Sequence, residues 1–183
     1  MRIIGISGVW CNQNPIWNNI VPAFRRRFDP TDFVVEEESW CHPWEVIRLR
    51  RFAERIVEKH DDGTDTLIIG HSMGGVVACA AANRFARSRV QGIVTIFSPH
   101  RFLSDAFTHA IGAHKGVTVP VVTFSARYDT LVWWGAEHPQ SVAHIRLPCD
   151  HQDDLVRDSR FSEQIAEASH RHLFPGRLAA AAE

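Results

Sequence analysis

The sequence has 183 residues, a formal net charge of -1, 45% hydrophobic residues and 22% charged residues. These values are typical of a folded globular protein and exclude collagen-like, coiled-coil and disordered chains. The balanced charge gives no overall field that would hold nucleic acid or an anionic membrane, so we expect neither as a partner. We expect a single domain over residues 1–183, with a flexible tail from about residue 175.

Short apolar runs rich in β-branched residues alternate along the chain with longer segments of helical periodicity. The spacing predicts a helix around residues 46–57, a second over residues 76–85 and a last one from Asp153 to about Leu173. This alternation is typical of a three-layer α/β/α sandwich with a mostly parallel sheet. The predicted strands are Arg2–Ser7, Asp32–Glu36, Asp65–Ile69, Gly92–Phe97, Val119–Phe124 and Val142–Leu147.

The four cysteines are widely separated and include no C-x-x-C pair, which argues against a zinc site or a redox motif. Reduced thiols fit a cytoplasmic protein. The N-terminus has no signal-peptide core, and no apolar run is long enough to span a membrane, so we expect no membrane insertion. The cluster Arg25-Arg26-Arg27 is interpreted as the solvent-exposed end of an amphipathic helix.

The segment Gly70-His71-Ser72-Met73-Gly74 matches a G-x-S-x-G nucleophile elbow. It directly follows an apolar strand and directly precedes a helix, which is the context that the motif requires. Glycines are needed there because side chains at positions 70 and 74 would crowd neighbouring elements. The alternative is a glycine-rich turn whose serine caps a helix.

A serine hydroxyl needs a base within hydrogen-bond reach, and the base needs an acid that fixes its tautomer. In the chain order serine, acid, histidine, Asp129 and His151 fit, because each follows a late predicted strand. The other candidates are weaker: His144 lies inside a predicted strand, and His100 precedes the acid. We therefore predict Ser72, Asp129 and His151 as the catalytic residues.

Carboxylates around His151 raise the alternative of a metal site. A run of acidic residues at the start of a helix is more simply explained by the helix dipole, so Asp150, Asp153 and Asp154 are interpreted as helix-start residues. We expect no metal and no cofactor.

An oxyanion hole requires two backbone N–H groups that face the developing charge. One is expected from Met73, the residue after the nucleophile. The other is expected from the loop after the first strand, where Gly8 lets the backbone approach the crevice. Val9 is the predicted donor, and Trp10 is the alternative.

These motifs resemble those of the α/β-hydrolase superfamily, in particular its compact lidless lipases and esterases. Asp129-x-Leu131-Val132 and Asp150-His151 are similar to the family's acid and histidine turns. The resemblance implies a minimal six-stranded core, and the short stretch between the fourth and fifth strands leaves no room for a cap domain. Ser7-Gly8 stands where many relatives have His-Gly.

Three aromatic side chains, Trp10, His71 and Trp133, are predicted to line the substrate crevice, which favours an apolar acyl or aryl group. The leading hypothesis is a carboxylic-ester hydrolase that forms an acyl-enzyme and takes a small-molecule ester. A thioesterase or amidase with the same triad is the alternative within enzymes. An inactive binding protein of the same fold is the alternative outside them.

Overall fold

Parallel strands joined by helices make up the described part of the chain, which in this computed structural model is residues 1–8, 14–38, 45–101, 105–113, 117–132 and 135–176. The six predicted strands are confirmed, with ends displaced by at most two residues. In chain order the elements are β1 (Arg2–Ile6), α1 (Trp17–Phe28), β2 (Asp32–Glu36), α2 (Val46–His60), β3 (Thr66–His71), α3 (Met73–Ala82), β4 (Val90–Ile96), α4 (Asp105–Ile111), β5 (Val121–Ala126), β6 (Ser141–Leu147), α5 (Asp153–Arg157) and α6 (Ser159–Leu173).

The sheet has the order β2-β1-β3-β4-β5-β6, and every neighbouring pair is parallel. The chain runs from β1 outward to β2 and then crosses back to place β3 on the other side of β1. In doubly wound sheets the ligand crevice lies where the winding reverses, at the carboxyl ends of the strands. Gly8 and Ser72 follow β1 and β3, so both lie at this switch point.

Alternating strand residues feed two separate apolar cores, one on each face of the sheet. Ile3 and Leu67 pack with buried residues of α1 and α6, whereas Ile4 and Ile68 pack with α2 and α3. Successive strand side chains point to opposite faces, so strands that are apolar throughout can serve both cores. The predicted three-layer α/β/α sandwich is confirmed.

Small residues bring α3 unusually close to the sheet. A Cβ atom added at Gly74 would lie 2.2 Å from the carbonyl oxygen of Ile6, and one at Gly75 would lie 2.0 Å from Ser98 Oγ. Both distances are far below van der Waals contact, so any larger residue would push the helix away. The close approach places the N-terminus of α3 directly beside the end of β1.

The last predicted helix is wrong in one respect: it is two helices, α5 and α6, rather than one. Asp158 between them has extended geometry, with φ -128° and ψ 102°, and its side chain accepts the N–H of Arg160. An aspartate that caps the next helix interrupts the preceding one, because the capping residue is not itself helical. The predicted tail lies largely outside the described residues, which end at 176.

Helix α1 ends in the basic cluster predicted from the sequence. All three arginines are exposed, and Arg26 and Arg27 form ion pairs with Glu163 and Glu167 of α6. The interpretation of this cluster as a solvated helix end therefore agrees with its surroundings.

Between β4 and β5 the described residues form only the short helix α4. Among the described helices, none has both the length and the apolar character needed to cross a bilayer.

Candidate active site

Ser72 occupies the sharp turn between β3 and α3. Its backbone has φ 53° and ψ -130°, a left-handed conformation that is costly for any residue except glycine. The turn is fixed by its surroundings: the N–H of Ser72 donates to the carbonyl oxygen of Ile96 at 2.8 Å, and a Cβ atom at Gly70 would lie 2.4 Å from the backbone of Gly75. A nucleophile elbow requires this kind of strained strand-to-helix turn.

Asp129 and His151 are joined by a short hydrogen bond at the carboxyl ends of β5 and β6. Nδ1 of His151 donates to Oδ2 of Asp129 at 2.6 Å, and the side chains are only 10% and 1% exposed. A carboxylate on Nδ1 fixes the tautomer that leaves Nε2 free to accept a proton.

The second oxygen of Asp129 is held by the main chain. The N–H groups of Leu131 and Val132 donate to Oδ1 at 2.8 and 2.7 Å. Burial is the largest single influence on the pKa of Asp129 and acts to raise it. The hydrogen bond and charge of His151, together with the two N–H donors, outweigh burial and lower the pKa. Asp129 is therefore ionised at neutral pH.

Backbone hydrogen bonds tie the acid loop to the histidine loop. The N–H of Arg127 donates to the carbonyl of Leu147 at 2.8 Å, and that of Tyr128 donates to Cys149 at 3.0 Å. These bonds continue the pairing of β5 with β6 beyond the last ladder residue. The two loops consequently lie side by side.

Ser72 is brought close to Asp129 and His151 by the contacts of its sequence neighbour His71. The ring of His71 lies 5.2 Å from that of His151, and its Nε2 is 3.2 Å from the main-chain oxygen of His151. The fully buried ring of Phe97 lies 6.0 Å from the ring of His151. The fold thus brings the three predicted catalytic positions, Ser72, Asp129 and His151, to one region.

Gly8 packs directly against Ser72. A Cβ atom at this position would lie 2.8 Å from Cβ of Ser72, 3.3 Å from its Oγ and 3.1 Å from the carbonyl oxygen of His71. Met73 is the first residue of α3, so its N–H has no acceptor within the helix. Of the other predicted site residues, Val9, Trp10 and Trp133 lie outside the described residues.

The structure places His71 differently from the sequence-based expectation that it lines the substrate crevice. Its side chain points into the protein and is 1% exposed as a residue. Burial lowers the pKa of His71 to about 3, and a positive charge on His151 would act in the same direction, so the His71 ring is neutral. The strand alternation in β3 explains this, because the neighbour of a side chain that faces the crevice faces away from it.

The acidic residues around His151 support a helix start. Oδ1 of Asp150 accepts the N–H groups of Gln152 and Asp154 at 3.0 Å, and Oδ2 of Asp154 accepts the N–H of Asp150 at 2.9 Å. These reciprocal bonds hold the turn that leads into α5. The sequence-based interpretation of Asp150, Asp153 and Asp154 as helix-start residues agrees with this arrangement.

One group of possible metal ligands does occur among the described residues. Cys79, His100 and His138 have ligand atoms within 4.8 Å of one another, and sequence spacing did not indicate them because they come from three distant segments. However, the N–H of Gln140 donates to Nδ1 of His138 at 3.1 Å, which leaves the ring proton on Nε2. A metal-bound imidazole normally donates from its second nitrogen, so this arrangement disfavours a metal.

The profile of the alpha/beta hydrolase fold family matches residues 32–138, which is more than half of the chain. The protein therefore belongs to the α/β-hydrolase fold family. A search of curated proteins gives no match.

Solved structures share the fold at low sequence identity. The esterase domain of a Rhodothermus marinus protein is similar with a TM-score of 0.57 and 18% identity, over 94% of this chain and 87% of that one. A serine hydrolase involved in carbazole degradation has a TM-score of 0.59 and 14% identity, over 91% and 89%. A Listeria innocua protein, the lin2722 gene product, has a TM-score of 0.59 and 12% identity, over 95% and 94%.

Proposed function

We propose that this protein is a serine hydrolase that cleaves carboxylic esters of small to medium acyl or aryl groups through an acyl-enzyme. The observation that carries the proposal is the 2.6 Å bond from His151 to an ionised Asp129, close to the strained Ser72, whose neighbour His71 contacts the main chain of His151. Membership of the α/β-hydrolase fold family supports it, because the elbow serine, acid and histidine occur in the order that this fold uses.

In the first half-reaction Oγ of Ser72 attacks the ester carbonyl carbon and its proton passes to Nε2 of His151. The carbonyl π-bond becomes an oxyanion, which the N–H groups of Met73 and Val9 would stabilise. Asp129 balances the imidazolium charge through the bond to Nδ1. The tetrahedral intermediate then expels the alcohol oxygen, which takes the proton from His151, and the acyl group stays on Ser72.

In the second half-reaction water attacks the acyl-enzyme and gives one proton to His151. Collapse of the second tetrahedral intermediate breaks the bond between the acyl carbon and Ser72 Oγ. The proton returns from His151 to Ser72, and the carboxylic acid leaves. The balance is one ester and one water in, one acid and one alcohol out.

Two exposed, largely apolar side chains near Asp129 support an apolar substrate. Tyr128 and Leu131, on either side of Asp129, are 61% and 68% exposed, although large apolar side chains usually gain free energy by burial. An acyl or aryl group that covered them would remove this area from water. We propose Trp10 and Trp133 as further substrate contacts.

A panel of p-nitrophenyl esters of graded acyl length, with matched thioesters and anilides, tests the proposal. We expect the esters to be hydrolysed fastest and Ser72→Ala to lower turnover by about 10⁴- to 10⁶-fold. Ser141→Ala, at the end of β6 opposite to His151, is the control and should hydrolyse at the wild-type rate.

Undiminished turnover in Ser72→Ala would show that another group attacks the carbonyl. Faster turnover of thioesters or anilides would reassign the reaction to a thioesterase or amidase. A folded wild-type protein that hydrolyses none of the panel would favour a binding protein.

A further inference from the structure

Both ring nitrogens of the buried His71 have partners of defined polarity. Nε2 faces the main-chain oxygen of His151 at 3.2 Å, and Nδ1 faces Nδ2 of Asn14 at 3.3 Å. A carbonyl oxygen can only accept and an amide NH₂ can only donate. The two contacts are therefore satisfied together by one form alone, the neutral ring with its proton on Nε2.

The orientation of the Asn14 amide is fixed by a separate bond. Its Oδ1 accepts the N–H of Ile16 at 3.2 Å, so its NH₂ group must point towards His71. Asn14 is 4% exposed. Protonation of His71 on Nδ1 would set two donors against each other in a buried place, which is costly.

The chain of hydrogen bonds continues from Asn14 to the ends of β1 and β2. The N–H of Asn14 and the hydroxyl of Ser7 both donate to Oε1 of Glu37 at 3.1 Å, and Nε1 of Trp17 donates to Ser7 Oγ at 2.7 Å. Asn14 is thus held by the sheet on one side and by His71 on the other.

These bonds link the three loops of the proposed site. Gly8 and Asn14 flank residues 9–13, and Gly8 contacts the elbow while Asn14 bonds to its buried imidazole. On the other side His71 bonds to the main chain of His151, the residue that must present Nε2 to Ser72. A displacement of about 1 Å in such a group can cost about 10²-fold in rate.

We propose that His71 is a positioning residue for the proposed hydrolysis. Its Nε2–H holds the main chain of His151, and its Nδ1 holds Asn14, which follows the loop after β1 that is predicted to supply an oxyanion donor. The inference rests on the proposed function, and it assigns to the second residue of the G-x-S-x-G motif a task separate from substrate contact.

Two substitutions separate the two bonds. His71→Gln keeps a side-chain N–H that reaches as far as Nε2, whereas His71→Asn keeps a polar atom only near Nδ1. We expect kcat to fall about 10- to 100-fold in His71→Asn and less than about fivefold in His71→Gln, with KM changed less than threefold in both. His138→Gln removes another buried histidine and is the control, with wild-type kcat.

Melting temperatures of the same variants distinguish positioning from general destabilisation. We expect the two His71 variants to melt within a few degrees of each other while their kcat values differ. Equal kcat in both variants, or a loss confined to KM, would overturn the positioning role.

A measurement that does not depend on turnover keeps this inference separate from the proposed function. In ¹⁵N-histidine NMR spectra of the wild-type protein we expect His71 to remain neutral with its proton on Nε2 at pH 5, and the His151 ring signals to move in His71→Asn but not in His71→Gln. A protonated His71 at pH 5, or a proton on Nδ1, would overturn the inference. The expected spectra from a protein that hydrolyses no ester would instead overturn the proposed function.

Discussion

Two pairs of histidines in this molecule have similar ring separations and different surroundings. The rings of His71 and His151 lie 5.2 Å apart, and those of His100 and His138 lie 5.0 Å apart. In the first pair, the ionised Asp129 bonds to His151, and both ring nitrogens of His71 have hydrogen-bond partners. The second has the buried thiol of Cys79 nearby, and Nε2 of His100 has no hydrogen-bond partner among the described residues.

The two pairs differ in whether a neighbouring anion can stabilise a protonated imidazole. Burial raises the pKa of the Cys79 thiol to about 12 and lowers that of His100 to about 3, so both groups stay neutral at pH 7. In the first pair, the carboxylate bonded to His151 would stabilise an imidazolium in the proposed reaction. Two neighbouring histidines therefore do not indicate catalysis by themselves. The carboxylate bonded to His151 is what distinguishes the first pair from the second.

Removing the charge of the carboxylate should have the largest effect. In Asp129→Asn we expect kcat on an ester to fall by about 10³- to 10⁴-fold, because the amide can present its NH₂ group to Nδ1 and reverse the tautomer of His151. Steady-state kinetics measure this. Cys79→Ala removes the neutral thiol beside the second pair and should leave kcat within about twofold. Equal losses of kcat in both variants would contradict the comparison.

A side chain that crowds Ser72 should lower kcat by an intermediate amount. In Gly8→Ala the new methyl group would lie 2.8 Å from Cβ of Ser72, so the loop or the serine must move. We expect kcat to fall by about 10- to 100-fold. Gly176→Ala is the control, since a Cβ atom there meets nothing within 4 Å. Unchanged kcat in Gly8→Ala would mean that the loop after β1 takes no part in the reaction.

A lower pH should reduce the stability of the folded protein, and this is the smallest effect that we predict. The pKa of His71 is lowered to about 3 in the folded protein from an ordinary value of 6.5, so only the unfolded chain binds this proton between those values. The free energy of unfolding should therefore fall as the pH falls through this window, by at most about 1.4 kcal/mol per pH unit for one group. Below the ordinary aspartate pKa of 3.8, loss of the Asp129 carboxylate acts in the same direction.

Urea unfolding at pH 4.5 and pH 7 measures this effect. The difference between the two pH values should be smaller in His71→Gln than in the wild-type protein. His172 is exposed, so His172→Gln is the control and should keep the wild-type difference. An unchanged difference in His71→Gln would mean that the buried ring takes up its proton as readily as in the unfolded chain.

The fold was predictable from the sequence because β1, β3 and β4 are mostly apolar and because α2 and α6 follow the 3.6-residue period. Local patterns sufficed for the six strands and for the turn that contains Ser72. The sequence did not separate α5 from α6, because the effect of Asp158 as a cap outweighed the continuous helical period around it. Helix α4 was not predicted.

The site was predictable only where it follows from chain order. Asp129 and His151 were indicated by their places after strands, but the partners of His71 were not. Asn14 and the main chain of His151 lie 57 and 80 residues from it in sequence, and no local spacing encodes such contacts. Gly8 was expected near the crevice, whereas its contact with Ser72 required the register of β1 and β3.

The proposed hydrolysis depends most on Ser72 being a nucleophile activated by His151. Treatment of the wild-type protein with a fluorophosphonate, followed by peptide mass mapping, measures this directly. We predict a single phosphonate adduct on Ser72, formed much more slowly in His151→Ala. A folded protein that gives no adduct, or an adduct on another residue that survives in Ser72→Ala, would contradict the account.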